Sequence, residues 1–462
     1  MTHRARQRPH RQRPHRQRPH RPRHALVAPL VAPLVALLAL LPAGEATALQ
    51  SPLAQQSADT QPGFSTGRLA RIDSALQRAV DGGEVVGAVA IVLRDGVPVY
   101  ERAVGWADRE AGRRMTTDAI FRIASQTKAL TSVAVMQLAE EGRLALNDPV
   151  SRWIPAFART TVAVRTDTGR AVVPARRPIT IRDLLTHTAG ISYGVDSLVA
   201  PLYTATGLGP AAGYGWYTAD KDEPICATME RLAALPFATQ PGTRFVYGYA
   251  TDVLGCVVER VAGAPLDEVI RARITEPLGM RDTHFFLPPE KRDRLAAVYT
   301  RASGNGGDSA ATLERAPGGA RGQGHYVEGP RASFSGGAGL LSTARDYARF
   351  LQMLLDGGTL DGARVLGPRT VALMTTDQID TLYSVDGMGF GLGFEVVERA
   401  GAGGRVQSVG TFGWGGAYGS TYAVDPEERL VFILLTQQIP NARPLMDRFP
   451  MLVYQALVEP RQ

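Results

Sequence analysis

The sequence predicts an α+β fold: an antiparallel sheet flanked by helices, with a mostly helical region inserted at about residues 140–330. Three observations carry that expectation. A helix pattern and then a hairpin pattern open the part of the chain that looks globular. Helix patterns dominate the middle. Consecutive strand patterns and a closing helix end it. Strands from both ends can share one sheet when the segment between them packs beside it.

Residues 1–24 are a low-complexity tract in which Arg-Gln-Arg-Pro-His recurs at 6–10, 11–15 and 16–20. Residues 25–42 are apolar, and Ala46-Thr-Ala48 has the small-residue spacing of a cleavage site. Residues 1–48 therefore read as a secretory signal peptide with an oversized basic leader, which implies export to a periplasm or to the medium. Pro29, Pro33 and the short alanine-rich run weaken the alternative of a membrane anchor. With no cysteine after the run, a lipid anchor is disfavoured. Residues 49–65 read as a flexible lead-in and 66–462 as the folded domain.

From Thr66 to Val80, Leu69, Ile72, Leu76 and Val80 recur at helical spacing. Val85–Leu93 and Val97–Val104 are β-rich runs joined at Asp95-Gly96, a hairpin turn pair. A helix apolar on nearly every side follows from Lys128 to Leu138, with Gly142 where a C-cap belongs. Thr180 caps a short helix over Ile181–Thr186. Residues 192–226 are loop-like, with Tyr193, Tyr203, Tyr214, Trp216 and Tyr217 available either as a substrate wall or as ordinary packing. Helix patterns return at Thr251–Ala262, Pro265–Arg273, Ser342–Asp356 and 366–376, and 302–325 is a glycine-rich excursion. Strands are expected at Gly389–Val397, Gln407–Phe412, Ser420–Val424 and Leu430–Leu435, then a helix over Leu445–Val458. Cys226 and Cys256 could pair in an oxidising compartment, but Cys256 sits in an apolar helical pattern that favours a buried free thiol.

The net charge of +7 misleads. Residues 1–48 hold nine arginines against one glutamate, so the remainder carries 42 basic and 43 acidic residues and offers no nucleic-acid surface. The three histidines outside the leader, His187, His284 and His325, are scattered, so no metal site and no cofactor is implied.

The chemistry is concentrated around Ser125-Gln-Thr-Lys128. Two residues three apart at the head of a buried helix share a face. A serine hydroxyl becomes a good nucleophile when a base takes its proton, and a desolvated lysine amine can do so. The chain has only three lysines, Lys128, Lys221 and Lys291, and otherwise uses arginine, which cannot act as a base. Free N–H groups at the helix start favour a developing oxyanion. Tyr247 stands just before the Thr251 helix, where its phenol could share a proton relay with Lys128. Trp414-Gly415-Gly416-Ala417 lies between β runs, and its side-chain-free positions let a substrate approach the backbone. The N–H groups of Ser125 and Ala417 would form an oxyanion hole. Gly190-Ile-Ser192-Tyr-Gly194 is a rival nucleophile elbow, but it lacks the required strand before it and helix after it. His187 reads as a structural hydrogen-bonding residue.

These three segments, in this order, make the chain from about Thr66 to Val458 resemble the serine β-lactamase and D,D-peptidase superfamily, especially its class C-like branch and the family VIII carboxylesterases. Leu185-Thr-His187-Thr-Ala-Gly190 and Ser335-Gly-Gly-Ala-Gly339 extend the likeness. The resemblance implies a Ser125–Lys128–Tyr247 catalytic set, an oxyanion hole of Ser125 and Ala417, and substrate contacts from Trp414, Gly415, Gly416 and Tyr249. Tyr249 stands where the second motif usually has asparagine, Gly248 replaces a common serine, and Trp414 replaces the lysine of the third motif. These departures favour a neutral short-chain carboxylic ester as substrate over a β-lactam or a D-amino-acid peptide. The same resemblance leaves a class C-like β-lactamase, a D,D-carboxypeptidase and a penicillin-binding sensor as alternatives.

Overall fold

The protein is described by a computed structural model over residues 60–209, 218–301, 312–319, 322–441 and 443–461. The expected signal peptide, residues 49–59 of the lead-in, and Tyr214, Trp216 and Tyr217 lie outside these residues. Residues 60–65 are not a loose lead-in. Thr60–Gln61 pairs with Phe64–Ser65, and Phe64 is fully buried. Ser65 caps helix α1 (Thr66–Asp81), its hydroxyl accepting from the Arg68 N–H, and Leu69, Ile72 and Leu76 face the core. Strands β1 (Gly87–Arg94) and β2 (Val97–Asp108) are joined by Asp95 and Gly96, both at positive φ as the tight hairpin requires. A short strand β3 (Arg113–Arg114) follows. Helix α2 (Thr127–Glu140) is buried from Thr127 to Leu138, as its all-round apolar pattern demands.

The inserted region contains strands as well as helices. A hairpin of β4 (Thr161–Thr166) and β5 (Gly169–Pro174) precedes α3 (Ile181–Leu185), and Pro236–Phe237 adds to β4 in parallel. Helices α4 (Ala200–Ala205), α5 (Ile225–Ala233) and α6 (Ala250–Ala262) complete the part nearest the site. Helix α7 (Ala344–Leu355) then leads to five strands: β6 (Met388–Phe390), β7 (Glu395–Val397), β8 (Phe412–Gly416), β9 (Ser420–Asp425) and β10 (Leu430–Thr436). Helix α8 (Arg443–Tyr454) closes the chain.

The eight-stranded sheet runs β6-β7-β8-β9-β10-β1-β2-β3, with every neighbouring pair antiparallel. The C-terminal β10 lies against the N-terminal β1, with Leu430 opposite Arg94 and Thr436 opposite Ala88. All eight residues of β1 are buried because both faces of the sheet are covered. Ala88, Ala90 and Val92 meet α1 and α8 through Leu76, Leu445 and Phe449, while Val89, Ile91 and Leu93 share a core with Leu130 of α2 and Phe350 of α7. This is the β-lactamase/transpeptidase-like arrangement that the resemblance implied.

Two strand expectations need correction. The run Gly389–Val397 is two strands, folded back at Gly391-Leu392-Gly393 with Met388 opposite Val397. The strand expected at Gln407–Phe412 begins only at Phe412 and continues through the glycines to Gly416. Pairing with β9 supplies what glycine propensity lacks: Gly413 lies opposite Ala423, Trp414 opposite Tyr422 and Gly415 opposite Thr421.

The free-thiol reading of Cys256 is also overturned. Cys226 on α5 and Cys256 on α6 form a disulfide, with Cα atoms 4.9 Å apart. A helical pattern says only that Cys256 is buried, and burial is met equally well by a bond to the adjacent helix. The Cys226→Ser/Cys256→Ser double variant is expected to lose about 2–4 kcal/mol of stability. A thermal melt beside wild type checks this, and an unchanged Tm would contradict it.

Candidate active site

The serine is presented by a tight and strained turn. Phe121–Arg122 pairs with Leu341–Ser342, and the buried Arg122 guanidinium donates to the carbonyls of Ala296 and Gln323 and to the Gln437 side chain. Ala124 then adopts φ +44°, a left-handed conformation costly for a residue with a Cβ. The 3₁₀ turn Ala124–Gln126 runs straight into α2, so Ser125 lies one turn ahead of the helix proper rather than within it. Ala124 and Gln126 are buried, and Ser125 alone of the three is partly exposed. Ala124→Gly is expected to keep activity within a few fold of wild type. Ala124→Val, whose branched side chain resists positive φ, is expected to lower kcat/KM at least about tenfold. Equal activity of the two variants would show that the strained turn does not matter.

Lys128 is 3% exposed. Its Nζ donates to the Gly337 carbonyl at 2.7 Å and to the Tyr193 hydroxyl at 2.9 Å, and it lies 3.4 Å from Ser125 Oγ. No carboxylate pairs with it among the described residues. The Gly337 carbonyl is held in place from behind by Asp252 of α6, whose Oδ1 accepts from the Gly337 N–H, Ser335 Oγ and Thr218 Oγ1. Only glycine fits at 337, because a Cβ there would come within 2.3 Å of Asp252 Oδ2. The backbone of the Ser335–Gly339 segment thus fixes the position of the lysine.

Tyr247 and Trp414 form the opposite wall. Trp414 Nε1 donates to the Tyr247 hydroxyl at 3.1 Å, and the Tyr247 ring centroid is 4.7 Å from Lys128 Nζ. His187 packs its ring 4.7 Å from that of Tyr247. Its Nδ1 is buried without a hydrogen-bond partner among the described residues, and its ring also packs against Phe245 and Phe390. Burial, and then the nearby Lys128 charge, hold the imidazole well below its usual pKa, which keeps it neutral. Glycine at 248 has a steric reason, since a Cβ there would lie 2.2 Å from the Ile191 carbonyl oxygen.

Ser125, Tyr247, Trp414, Gly415, Gly416 and Ala417 all line one cleft of about 940 Å³. Gly416 lies so close to the serine turn that a Cβ would come within 2.7 Å of the Ile123 carbonyl. Lys128 and Tyr249 are the expected site residues absent from the lining, and of the two only Lys128 lies within reach of Ser125 Oγ, whereas Tyr249 turns away. Tyr249 is 1% exposed and does not line the cleft. As the residue before α6 it turns inward, donating to the Leu208 carbonyl and packing edge-on against Tyr193 at 4.9 Å. Ser192 is no rival nucleophile, because it is buried in a loop with its hydroxyl accepting from the Gly194 N–H. Among the described residues no cluster of histidine, cysteine or carboxylate side chains is placed to hold a metal ion, and no helix is long and apolar enough to cross a membrane.

A family model described as Beta-lactamase matches residues 72–454. The chain belongs to the beta-lactamase family. Within that family it is 36% identical over 387 residues to Esterase EstB of Burkholderia gladioli, covering 79% of this chain and 90% of that protein. It is 28% identical over 409 residues to a putative D-alanyl-D-alanine carboxypeptidase of Escherichia coli (strain K12), covering 85% of this chain and 87% of that protein. A solved structure of EstCE1, a hydrolase with promiscuous acyltransferase activity, superposes with a TM-score of 0.71 at 30% identity, over 85% of this chain and 99% of that one.

One feature of this beta-lactamase-family site is not readable from the sequence. Tyr193 is one of several aromatics in a long loop, where wall and packing readings are both open. Its direct bond to Lys128 depends on a loop path that periodicity does not encode. Its neighbour Gly194, at φ +72° against the Tyr203 ring, marks the turn that aims it.

Proposed function

We propose that this serine hydrolase of the beta-lactamase family cleaves carboxylic esters with a short acyl group through an acyl-enzyme on Ser125. The observation that carries the reading is the setting of Lys128, within 3.4 Å of Ser125 Oγ and held by a carbonyl and a phenol rather than by a carboxylate. The bonds to the Gly337 carbonyl and the Tyr193 oxygen hold Nζ facing Ser125 Oγ. Ser125 Oγ attacks the ester carbonyl as its proton passes to Lys128. The N–H groups of Ser125 and Ala417 take the oxyanion. Collapse breaks the bond to the alcohol oxygen, which leaves with a proton relayed through Tyr247. A water molecule, activated by Tyr247, then attacks the acyl carbon and frees Ser125.

The uncharged Tyr247–Trp414 wall supports an ester over substrates with a carboxylate beside the scissile bond. The names of EstB and EstCE1 point the same way. The test is turnover of p-nitrophenyl butyrate and of nitrocefin by residues 49–462. Fast ester hydrolysis with slow nitrocefin cleavage is expected. The reverse order would move the protein to the lactamase reading. We also take residues 1–48 as an export signal, which the Cys226–Cys256 disulfide supports because such bonds persist in oxidising compartments. Exported protein beginning near Leu49 is expected on N-terminal sequencing, and a retained leader would count against it.

A further inference from the structure

Lys128 and Asp252 are both buried, at 3% and 2% exposure, and neither has an ionic partner among the described residues. A charge held away from water is costly unless another group compensates it. A chain of hydrogen bonds joins the two. Lys128 Nζ donates to the Gly337 carbonyl at 2.7 Å. The N–H of that same peptide unit belongs to Ala338 and donates to Ser335 Oγ at 3.1 Å. Ser335 Oγ, in a side chain only 1% exposed, donates in turn to Asp252 Oδ1 at 2.6 Å. Every donor points from the lysine towards the carboxylate, so each bond polarises the next in the same sense.

The segment that carries the chain is clamped between two helices. Gly336 packs so closely on α6 that a Cβ there would come within 2.6 Å of the Thr251 carbonyl oxygen. Its own carbonyl accepts from Thr131 Oγ1 of α2 at 2.8 Å. Asp252 Oδ1 also accepts from the Gly337 N–H at 3.1 Å and from Thr218 Oγ1 at 3.0 Å. Neither of those donors belongs to the peptide unit that meets Lys128, so only the Ser335 route reaches the amine.

We infer that Asp252, acting through Ser335 and the Gly337–Ala338 peptide, is the remote charge partner of Lys128 and stabilises the ammonium that forms when Lys128 takes the Ser125 proton. The inference rests on the proton transfer of the proposed function. Asp252 and Ser335 are positioning residues, since neither lines the cleft and both act through the amine. A carbonyl meets Nζ in place of a carboxylate, so the support reaches the lysine without an ion pair beside Ser125.

The experiment measures two rates on the exported chain. One is turnover of p-nitrophenyl butyrate; the other is labelling of Ser125 by a fluorophosphonate, which reports the nucleophile whichever ester is the substrate. Asp252→Asn removes the charge and keeps the shape of the side chain. It is expected to lower kcat and the labelling rate at least about tenfold, the size of one hydrogen bond to a charged group, with KM within about twofold of wild type. Ser335→Ala cuts the chain, leaves Asp252 in place and is expected to do the same. The double variant should lose no more than about twofold beyond the larger single loss. Thr218→Val takes a donor from the same Oδ1 but lies off the chain, so both rates should stay within about threefold of wild type. In a Lys128→Met background, Asp252→Asn should change the residual labelling rate by less than about twofold, whereas a purely structural role would still lower it. If a melt shows Asp252→Asn to be poorly folded, Ser335→Ala carries the same comparisons. Rates unmoved by Asp252→Asn and Ser335→Ala, an equal loss in Thr218→Val, or a loss that persists without Lys128 would overturn the inference. Labelling that meets these expectations without any ester turnover would instead overturn the ester-hydrolase reading.

Discussion

Ser125→Ala is expected to lower kcat/KM on p-nitrophenyl butyrate by about 10⁴-fold or more, with the protein still folded. Removing one oxygen from a partly exposed turn leaves the β-carbon that packs there, so the Tm should move by little. Ser192→Ala should keep most of the activity, because its hydroxyl only accepts from Gly194. Steady-state kinetics of both variants beside wild type check this. A Ser125→Ala protein with even a tenth of wild-type activity would remove the nucleophile from the account.

Lys128→Met should cost nearly as much, at least about 10³-fold in kcat, within the range for a lost general base and at its upper end because the amine also serves the leaving group. Methionine keeps the length and loses every hydrogen bond. The Gly337 carbonyl then lacks its donor, at a cost of about 1–3 kcal/mol, while the burden of burying an amine disappears. Net stability should therefore change far less than activity. The combination of a folded variant, a nearly unchanged KM and a collapsed kcat separates a chemical role from a structural one. If Lys128→Met unfolds the protein, Lys128→Gln supplies the same comparison with a polar group at the same depth. Activity surviving in either variant would shift the proton transfer to Tyr247 alone.

Much of this architecture is legible because burial on two sides writes itself into a strand. Residues 87–93 and 430–435 are unbroken apolar runs, and they lie side by side inside the sheet. The buried helix behind Ser125-Gln-Thr-Lys128 is legible for the same reason. Less legible is anything decided by long-range pairing. Residues 161–174 alternate too weakly to announce a hairpin, since most of Gly169–Pro174 is exposed or half-buried. Residues 412–416 contain three glycines and become a strand only because β9 lies beside them.

At the site, the spacing of serine and lysine puts Lys128 within reach of Ser125 Oγ, and the tyrosine before a helix and the Trp-Gly-Gly segment bring Tyr247, Trp414, Gly415 and Gly416 into one cleft with Ser125. Tyr249 is misplaced by the motif because a motif position does not say which way a side chain turns, and the ring here is drawn into the core by the Leu208 carbonyl and Tyr193. Tyr193 and the Gly337 carbonyl bond to Lys128 across 65 and 209 residues of sequence, and no local pattern marks such partners.

The central claim is that an acyl group is carried on Ser125 during turnover. The measurement is intact-protein mass spectrometry after rapid acid quenching with p-nitrophenyl butyrate in excess, followed by peptide mapping. The account predicts a single butyryl adduct on the peptide containing Ser125, absent in Ser125→Ala and longer-lived in Tyr247→Phe, where deacylation is slowed. An adduct on Ser192, or ester turnover with no adduct on any serine, would contradict it.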